Sequence, residues 1–529
     1  VQYDLILRGG EVIDGQRKPR FKADVGVIGD RITTVGDLSS ATAKNVIDAT
    51  GRCVAPGLID VHNHSDGWML KSPHQLHKTA QGITTEVLMA DGISYAPVDP
   101  TTAPEWIAYL RSLNGLRFDE YRGWESLDEY LALLDGRNVQ HAAYHIPYAN
   151  VRTQACGFGK RRIDDFQLRQ MKYEIRKAMD EGAVGVSTGM DYLDQWYATT
   201  DELVATLSVL KETGGLYVTH MRYKTGLLPA MKEAVEICRR AEIPLHISHL
   251  KALGDMHPEV VLEYLDQEAR KQVDLTFDVY PYQPGSTMLN SLLPYDVWDH
   301  GATAALGRLV QPEFRARFAR SLACQRLPLD RICIAWTLSK ENACHQGKTL
   351  AQYVADVGKP AGDALLDLLL EERLSVLLVF LEGDDRKVFP MVQHECCMLG
   401  SDAIYFPSAM VHPRAYGSGP RWLGPCVRDQ QLFSLEDAVW KASGFAAQRF
   451  GLPDRGVIQA NAIADLMIFD PMTICDTATF ADPQQYPVGI DAVITAGRVI
   501  VRNNTPEDLG TENLPGRVIR ARPCRLSPR

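Results

Sequence analysis

The 529-residue sequence predicts an α/β fold, a (β/α)8 TIM barrel with a small β-sandwich domain formed from both chain termini. Three observations predict it. Eight apolar runs alternate with amphipathic stretches through the middle of the chain. Both ends share a different texture, of short strands broken by glycine, proline and aspartate. Histidines close several of the middle runs, where the loops of a closed barrel begin.

At the N-terminal end, YDLILRGGEVID and ADVGVIGDRITTVG alternate apolar residues and break at Gly-Gly, Asp-Gly and Gly-Asp. ADLMIFDP, DAVITAGRVIV and PGRVIRA repeat that texture near the other end. Residues 1–55 and 451–529 are therefore expected to form one small β domain, and 56–450 the barrel. The barrel strands are expected in LIDVHNH, ITTEVLMAD, VQHAAYHIP, AVGVSTGM, GLYVTHMR, PLHISHLKAL, DLTFDVYPY and CCMLGSDAIY. Buried parallel strands read as near-continuous apolar runs of this kind. Helices are expected between them, as in DDFQLRQMKYEIRKAMDEG and GLLPAMKEAVEICRRAE. In the second, Leu228, Met231, Val235 and Cys238 recur at helical spacing. The stretch at about 283–349 is too long for one strand-to-helix connection. It contains PYDVWDHGATAALGRL and PEFRARFARSL, and it reads as a helical insertion over or beside the barrel mouth.

Composition narrows the class. An apolar content of 45% is ordinary for a globular chain of this length. The net charge is −10 and no long Lys/Arg run occurs, so no nucleic-acid partner is expected. No apolar run approaches a membrane span, so no membrane partner is expected either. The opening VQYDLILRGGEVIDG lacks a basic segment followed by an apolar one, and no secretory leader is expected. The eleven cysteines show no framework, and the adjacent Cys396–Cys397 lacks the spacing of a zinc knuckle or redox pair. A reducing, cytoplasmic setting follows as an expectation. The expected partner is a small-molecule substrate, with a homo-oligomer left open. The final RARPCRLSPR reads as a loose basic tail.

The chemistry starts at Leu58-Ile59-Asp60-Val61-His62-Asn63-His64. Residues two apart on a strand share a face, so His62 and His64 point the same way. Two imidazoles at a strand end suit zinc. Val218-Thr219-His220 and Ile247-Ser248-His249 each close a later apolar run. Any one of these histidines alone reads more readily as a core or loop residue than as a ligand. Four on three strand ends converge only if the barrel closes. Gly400-Ser401-Asp402 follows the last run, where Asp402 is either a helix N-cap or a carboxylate facing a metal-bound water.

APGLIDVHNHSD, QGITTEVLMADGISYAP, GAVGVSTGMDY, YVTHMR, HISHLK, DVYPY, LGSDA and HPRAYGSGPRWLG together resemble the D-aminoacylase (N-acyl-D-amino-acid deacylase) family of the metal-dependent amidohydrolase superfamily. The motifs occur in that family's order, and IADLMIFDP and QQYPVGIDAVITAGRVIV resemble its closing β segments. The resemblance runs almost end to end. It implies zinc, one or two ions per chain, with other divalent ions open. It implies that His62 and His64 bind one metal position, that His220 and His249 bind the other, and that Asp402 is the catalytic base and acid. Many members of the superfamily bridge two metals with a carboxylated lysine on strand four, which AVGVSTGM lacks. D-aminoacylases typically use a strand-two cysteine in a GNCG-like motif. This chain reads Met89-Ala90-Asp91-Gly92 there, so Asp91 stands in the cysteine's place. A carboxylate is a competent zinc ligand and, being harder than thiolate, widens tolerance toward ions such as Mn²⁺. Glu86 is a weaker alternative, on the opposite strand parity.

The expected reaction is hydrolysis of an amide. Zinc lowers the pKa of a bound water to about 7 and polarises a carbonyl. Asp402 would take that water's proton and return it to the leaving nitrogen. Lys251 shares the barrel side of His249 by parity, and the planar fork of Arg414 suits a carboxylate. The resemblance implies that Lys251, Tyr280 or Tyr282, and Arg414 hold the substrate's carboxylate. Asp191 and Tyr192 could line the mouth. Tyr223-Lys224 replaces the family's usual acidic residues, which leaves other N-acyl or carbamoyl compounds open. The rivals are a cyclic amidase, disfavoured by the missing strand-four lysine, a deaminase, and a non-catalytic barrel that binds a small molecule.

Overall fold

The structure, a computed structural model, describes residues 2–325 and 327–522. Of the expected basic tail, 523–529 lie outside the described residues. Arg520 is held, donating to the Tyr144 hydroxyl at 2.8 Å and the Glu181 carbonyl at 2.9 Å.

Each of the eight expected middle runs contains a parallel strand segment. Leu58–Asp60 pairs with Ile83–Leu88, which pairs with His141–Tyr144. Ile146–Pro147 prolongs that third strand and pairs with Gly185–Gly189. Leu216–His220, Leu245–Ile247, Leu275–Val279 and Cys397–Leu399 follow in order, each parallel to the last. The eighth segment also returns to the first. Asp402 N donates to His62 O at 2.8 Å, His64 N donates to Ala403 O at 3.2 Å, and Asn63 bridges Ala403 in parallel sense.

Helices lie between these segments, as the spacing requires. Asp165–Asp180 starts in a reciprocal cap: Asp164 accepts from Gln167 N, and the Gln167 side chain accepts from Asp164 N. Leu227–Ala241 buries Met231, Val235 and Cys238, three of the four residues whose spacing predicted it. Both chain ends enter one nine-stranded sheet, in which Cys53–Pro56 pairs with Gln2–Val12 on one side and Leu466–Phe469 on the other. Residues of both ends share its core, among them Leu7, Val27, Val54, Leu466 and Ile494.

The segment expected as a helical insertion at 283–349 does carry helices, Ala302–Leu309 and Pro312–Gln325. It also carries strands. Ser286–Met288 and Ile332–Thr337 flank Val376–Phe380 in an antiparallel sheet, so the inserted unit runs well past 349. SVLLVF is a short apolar run that periodicity cannot assign to strand or helix.

One buried charge cluster sits where the first and eighth segments meet. Lys78, fully buried, donates to Asp60 and to Ser401 Oγ, the latter at 2.9 Å, and lies 3.7 Å from Glu86. Asp60 Oδ1 accepts from Ser401 N at 2.8 Å and from His62 N at 3.3 Å. Asp60 thus ties the residues beside Asp402 and His62 to one carboxylate. Removing one partner of a buried pair leaves an uncompensated charge. Asp60→Ala is expected to destabilise the fold by about 3–5 kcal/mol in denaturant unfolding. Val46→Ala, on the exposed edge of the terminal sheet, should stay within about 0.5 kcal/mol.

Candidate metal centre

The site lies at the C-terminal ends of the parallel strands, where side chains from separate segments converge. His62 and His64 follow the first segment, Asp91 the second, His220 ends the fifth, His249 follows the sixth and Asp402 the eighth. Three of them, Asp91 (φ 59°), His249 (φ 36°) and Asp402 (φ 48°), take left-handed backbone conformations. Non-glycine residues rarely do so, and such strain gathers at functional sites.

Two sets of donor atoms form. His62, His64 and Asp91 make one, and Asp91, His220 and His249 the other, with all donor atoms of each set within 4.8 Å of one another. Asp91 belongs to both. His62 Nε2 lies 3.5 Å from Asp91 Oδ1, and His64 Nε2 lies 3.8 Å from Oδ2. His220 Nδ1 and His249 Nε2 stand 3.0 Å apart. Adjacent corners of a tetrahedron with 2.0–2.1 Å arms lie about 3.3 Å apart, so that spacing suits two nitrogens on one ion. Asp402 Oδ1 faces the first set, 3.2 Å from His64 Nε2 and 3.8 Å from His62 Nε2.

The donor chemistry fits a divalent cation. Both Asp91 carboxylate oxygens and His62 Nε2 are buried without a hydrogen-bond partner. Buried polar atoms are otherwise almost always paired. Burial opposes charge on His62, but Asp278, Asp91 and Asp402 outweigh it and raise its pKa to about 10. The site thus holds a proton where a metal would supply positive charge. His249 goes the other way, to about 3, through burial and the neighbouring His220.

Strand four supports Asp91 instead of supplying a lysine. Ser187 Oγ donates to Met89 O at 2.6 Å and accepts from Gly92 N at 3.1 Å. Gln195 donates to Asp91 O at 2.9 Å and accepts from Gly189 N at 2.8 Å. A Cβ at position 189 would come within 2.4 Å of Asp91 O, so glycine there lets the loop close onto the strand. Glu86 faces Lys78 and Gln140, away from the histidines.

Each histidine has a partner behind it. Asp278 Oδ2 stands 3.5 Å from His62 Nδ1, and Asn114 Oδ1 3.1 Å from His64 Nδ1. Asp191 Oδ2 stands 3.5 Å from His220 Nε2, and the Tyr223 hydroxyl 3.4 Å from His249 Nδ1. The sequence reading missed Asp278 and Asn114. Asp278 was findable: it has the strand parity of Tyr280 in DVYPY. A Cβ at position 400 would strike its carboxylate at 2.4 Å, which explains the glycine of LGSDA.

The substrate-binding expectations divide. A cavity of about 780 Å³, within the usual range for a ligand pocket, is lined by His64, His220, His249, Asp402, Lys251 and Tyr280 together with residues of the inserted unit. Lys251 Nζ donates to the Tyr280 hydroxyl at 2.6 Å and to Gln283 O at 3.0 Å. Burial, with Arg414 nearby, pushes the Lys251 ammonium well below its ordinary pKa. Arg414 is fully buried behind Asp402, with Nη1 2.9 Å from Oδ2 and its guanidinium 4.4 Å over the Tyr280 ring. Tyr282 is not brought to the cavity. Its hydroxyl donates to Asp476 at 2.9 Å, and Arg421 packs over its ring. Asp191 and Tyr192 do line the cavity.

A profile of the amidohydrolase family matches residues 45–288 and 394–501. D-aminoacylase of Alcaligenes xylosoxydans xylosoxydans is 34% identical over 94% of this chain and 94% of its own. The chain belongs to the amidohydrolase family, in its D-aminoacylase branch. N-acyl-D-glutamate deacylase of the same organism is 32% identical over 98% of this chain and 96% of its own. The crystal structure of N-acyl-D-glutamate deacylase from Bordetella bronchiseptica, complexed with zinc and a phosphonate inhibitor, is similar with a TM-score of 0.83 and 30% identity. That match covers 98% of this chain and all of the other. The family profile skips 289–393, which is nearly the span of the inserted unit. Among the described residues, no helix is long and apolar enough to cross a membrane.

Ligation through His62 must displace its proton, because an imidazole binds metal only in its neutral form. With that proton held up to about pH 10, zinc added to metal-free protein at pH 8 is expected to release about one proton from His62 for each ion seated there, beyond the one given up by a bound water of pKa near 7. A weakly buffered indicator titration reads this directly. Release of no more than the water's proton, or the same release from His62→Ala, would place the ion away from His62.

Proposed function

We propose that this chain is a zinc-dependent hydrolase that removes the acyl group from an N-acyl-D-amino acid or a related N-acyl compound. We assign its eight parallel segments to a (β/α)8 barrel over residues 56–450, and 1–55 with 451–529 to a small β-sandwich domain. The observation that carries the reading is Asp91, a buried carboxylate without a hydrogen-bond partner, shared by two histidine pairs. His62 and His64 would hold one zinc, His220 and His249 the second, with Asp91 between them. The relatives act on N-acyl-D-amino acids by name, and one is known with zinc bound.

When bound, zinc supplies a water of pKa near 7 and a Lewis acid for the scissile carbonyl. The chain's own residues do the rest. Burial raises the Asp402 carboxyl, but Arg414, His64, His62 and His249 outweigh it and keep it well below the usual range. It therefore stays ionised and ready to accept a proton. Arg414 anchors Oδ2 at 2.9 Å, which leaves Oδ1 turned toward the histidines to take the water's proton. The same oxygen then returns that proton to the leaving nitrogen. Lys251 and Tyr280 lie at one wall of the cavity, where a substrate carboxylate would restore the charge that burial denies Lys251.

The test pairs metal content with hydrolysis of matched N-acyl-D- and N-acyl-L-amino acids. Wild type is expected to hold one or two zinc ions and to prefer the D series, and Asp91→Ala to lose metal and activity together. Asp402→Asn should keep its metal and lose about 10²–10⁴-fold in kcat. Lys251→Met should act mainly on KM. Metal without hydrolysis of any N-acyl compound would refute the substrate class, and a metal-free wild type after zinc loading would refute the site.

A further inference from the structure

His220 has two ring nitrogens with different surroundings. Nδ1 faces His249 Nε2 at 3.0 Å, on the side of Asp91. Nε2 faces Asp191 Oδ2 at 3.5 Å. A neutral imidazole that ligates through one nitrogen carries its hydrogen on the other. A carboxylate on that far side fixes the tautomer and makes the ligating nitrogen more basic.

Asp191 does not stand alone. Its Oδ1 accepts from the Tyr295 hydroxyl at 3.0 Å. Tyr295 opens the 3-10 turn Tyr295–Trp298 of the inserted unit. Its ring stacks on Trp196 with centroids 4.0 Å apart and planes 11° from parallel. Lys224 packs over the same ring at 4.3 Å and donates to Ser291 O at 3.0 Å. The Lys224 backbone N lies 3.3 Å from Asp191 Oδ2. Asp191 is therefore gripped from the inserted unit and from the loop after His220 at once.

We propose that Asp191 is a positioning residue for the His220–His249 metal position, and that Tyr295 couples the seating of the inserted unit to metal binding there. The inference rests on the two-position metal site described above. A hydroxyl, a carboxylate and an imidazole follow one another from the inserted unit to a ligating nitrogen. Linkage makes the effect reciprocal: an insertion seated on Asp191 favours the ion, and the ion favours the seated insertion by the same factor. Lys224 helps to hold that contact.

The experiment is a zinc titration against a competing chelator dye, on wild type, His220→Ala, Asp191→Ala, Asp191→Asn and Tyr295→Phe. His220→Ala identifies the position in question. Asp191→Ala is expected to weaken that position by about 10–100-fold and to leave the other as in wild type. Asp191→Asn should recover part of the loss, since its amide oxygen still accepts from an imidazole N–H. Tyr295→Phe should weaken the same position by roughly 2- to 10-fold, the loss of one hydrogen bond. In hydrogen exchange, zinc should slow the amides around Tyr295 in wild type and do so less in Tyr295→Phe. Wild-type affinity in Asp191→Ala, or equal weakening of both positions, would overturn the positioning role. An unchanged Tyr295→Phe beside a weakened Asp191→Ala would overturn the coupling. A wild type that binds no zinc would instead overturn the metal reading beneath both.

Discussion

The carboxylate of Asp91 is the constraint on which the rest of the site depends. It is 1% exposed and neither oxygen has a hydrogen-bond partner. An ionised carboxylate in that state costs several kcal/mol unless positive charge meets it. Within the chain the nearest answer is a proton on His62, an imidazole that Asp278 first and then Asp91 and Asp402 drive up to about 10 against burial. A metal ion would answer it better, because Asp91 shares a donor set with a histidine pair on each side. The surrounding backbone is built to keep this arrangement. Ser187 on strand four and Gln195 after it hold the loop of Asp91, and Gly189 leaves room for its approach.

The same logic explains why the first and eighth segments must meet. His62 and Asp402 come from positions 340 residues apart in sequence, yet Asp402 N donates to His62 O. Asp60 takes the next backbone amide, Ser401 N, and Lys78 neutralises Asp60 from below. This buried pair is unpromising as a source of net stability, since well-packed apolar residues often serve as well. It fixes the seam: His62 and Asp402 both lie just past their strands, and Asp60 holds the amides of His62 and Ser401 in place.

Much of this was legible in the sequence. The apolar runs marked all eight parallel segments, and the histidines that closed them marked where the site would lie. The residues that failed did so for definable reasons. SVLLVF in the inserted unit is too short for its period to be read. Tyr282 shares a motif and a strand parity with Tyr280, but the strand ends at Val279, and parity carries no information past a strand's end. The partners behind the histidines were mostly invisible because they come from unrelated places. Asn114 ends a helix and Asp191 follows strand four, and no spacing rule connects them to His64 or His220.

Arg414 shows how burial changes the meaning of a correctly chosen residue. By chemistry it is a carboxylate binder, and a carboxylate is what it meets. That carboxylate belongs to Asp402, and Arg414 is fully buried behind it. Its charge acts on the cavity through neighbours. It lowers the Asp402 carboxyl and, with burial, it also lowers the Lys251 ammonium. One guanidinium thus holds the proposed base ionised while making the proposed anion site less charged when empty. A substrate carboxylate entering beside Lys251 and Tyr280 would reverse the second effect without disturbing the first, because Asp402 keeps Arg414 on its far oxygen. The cavity would gain its full positive charge only with the anion in place, so a neutral amide of the same size would forgo that stabilisation.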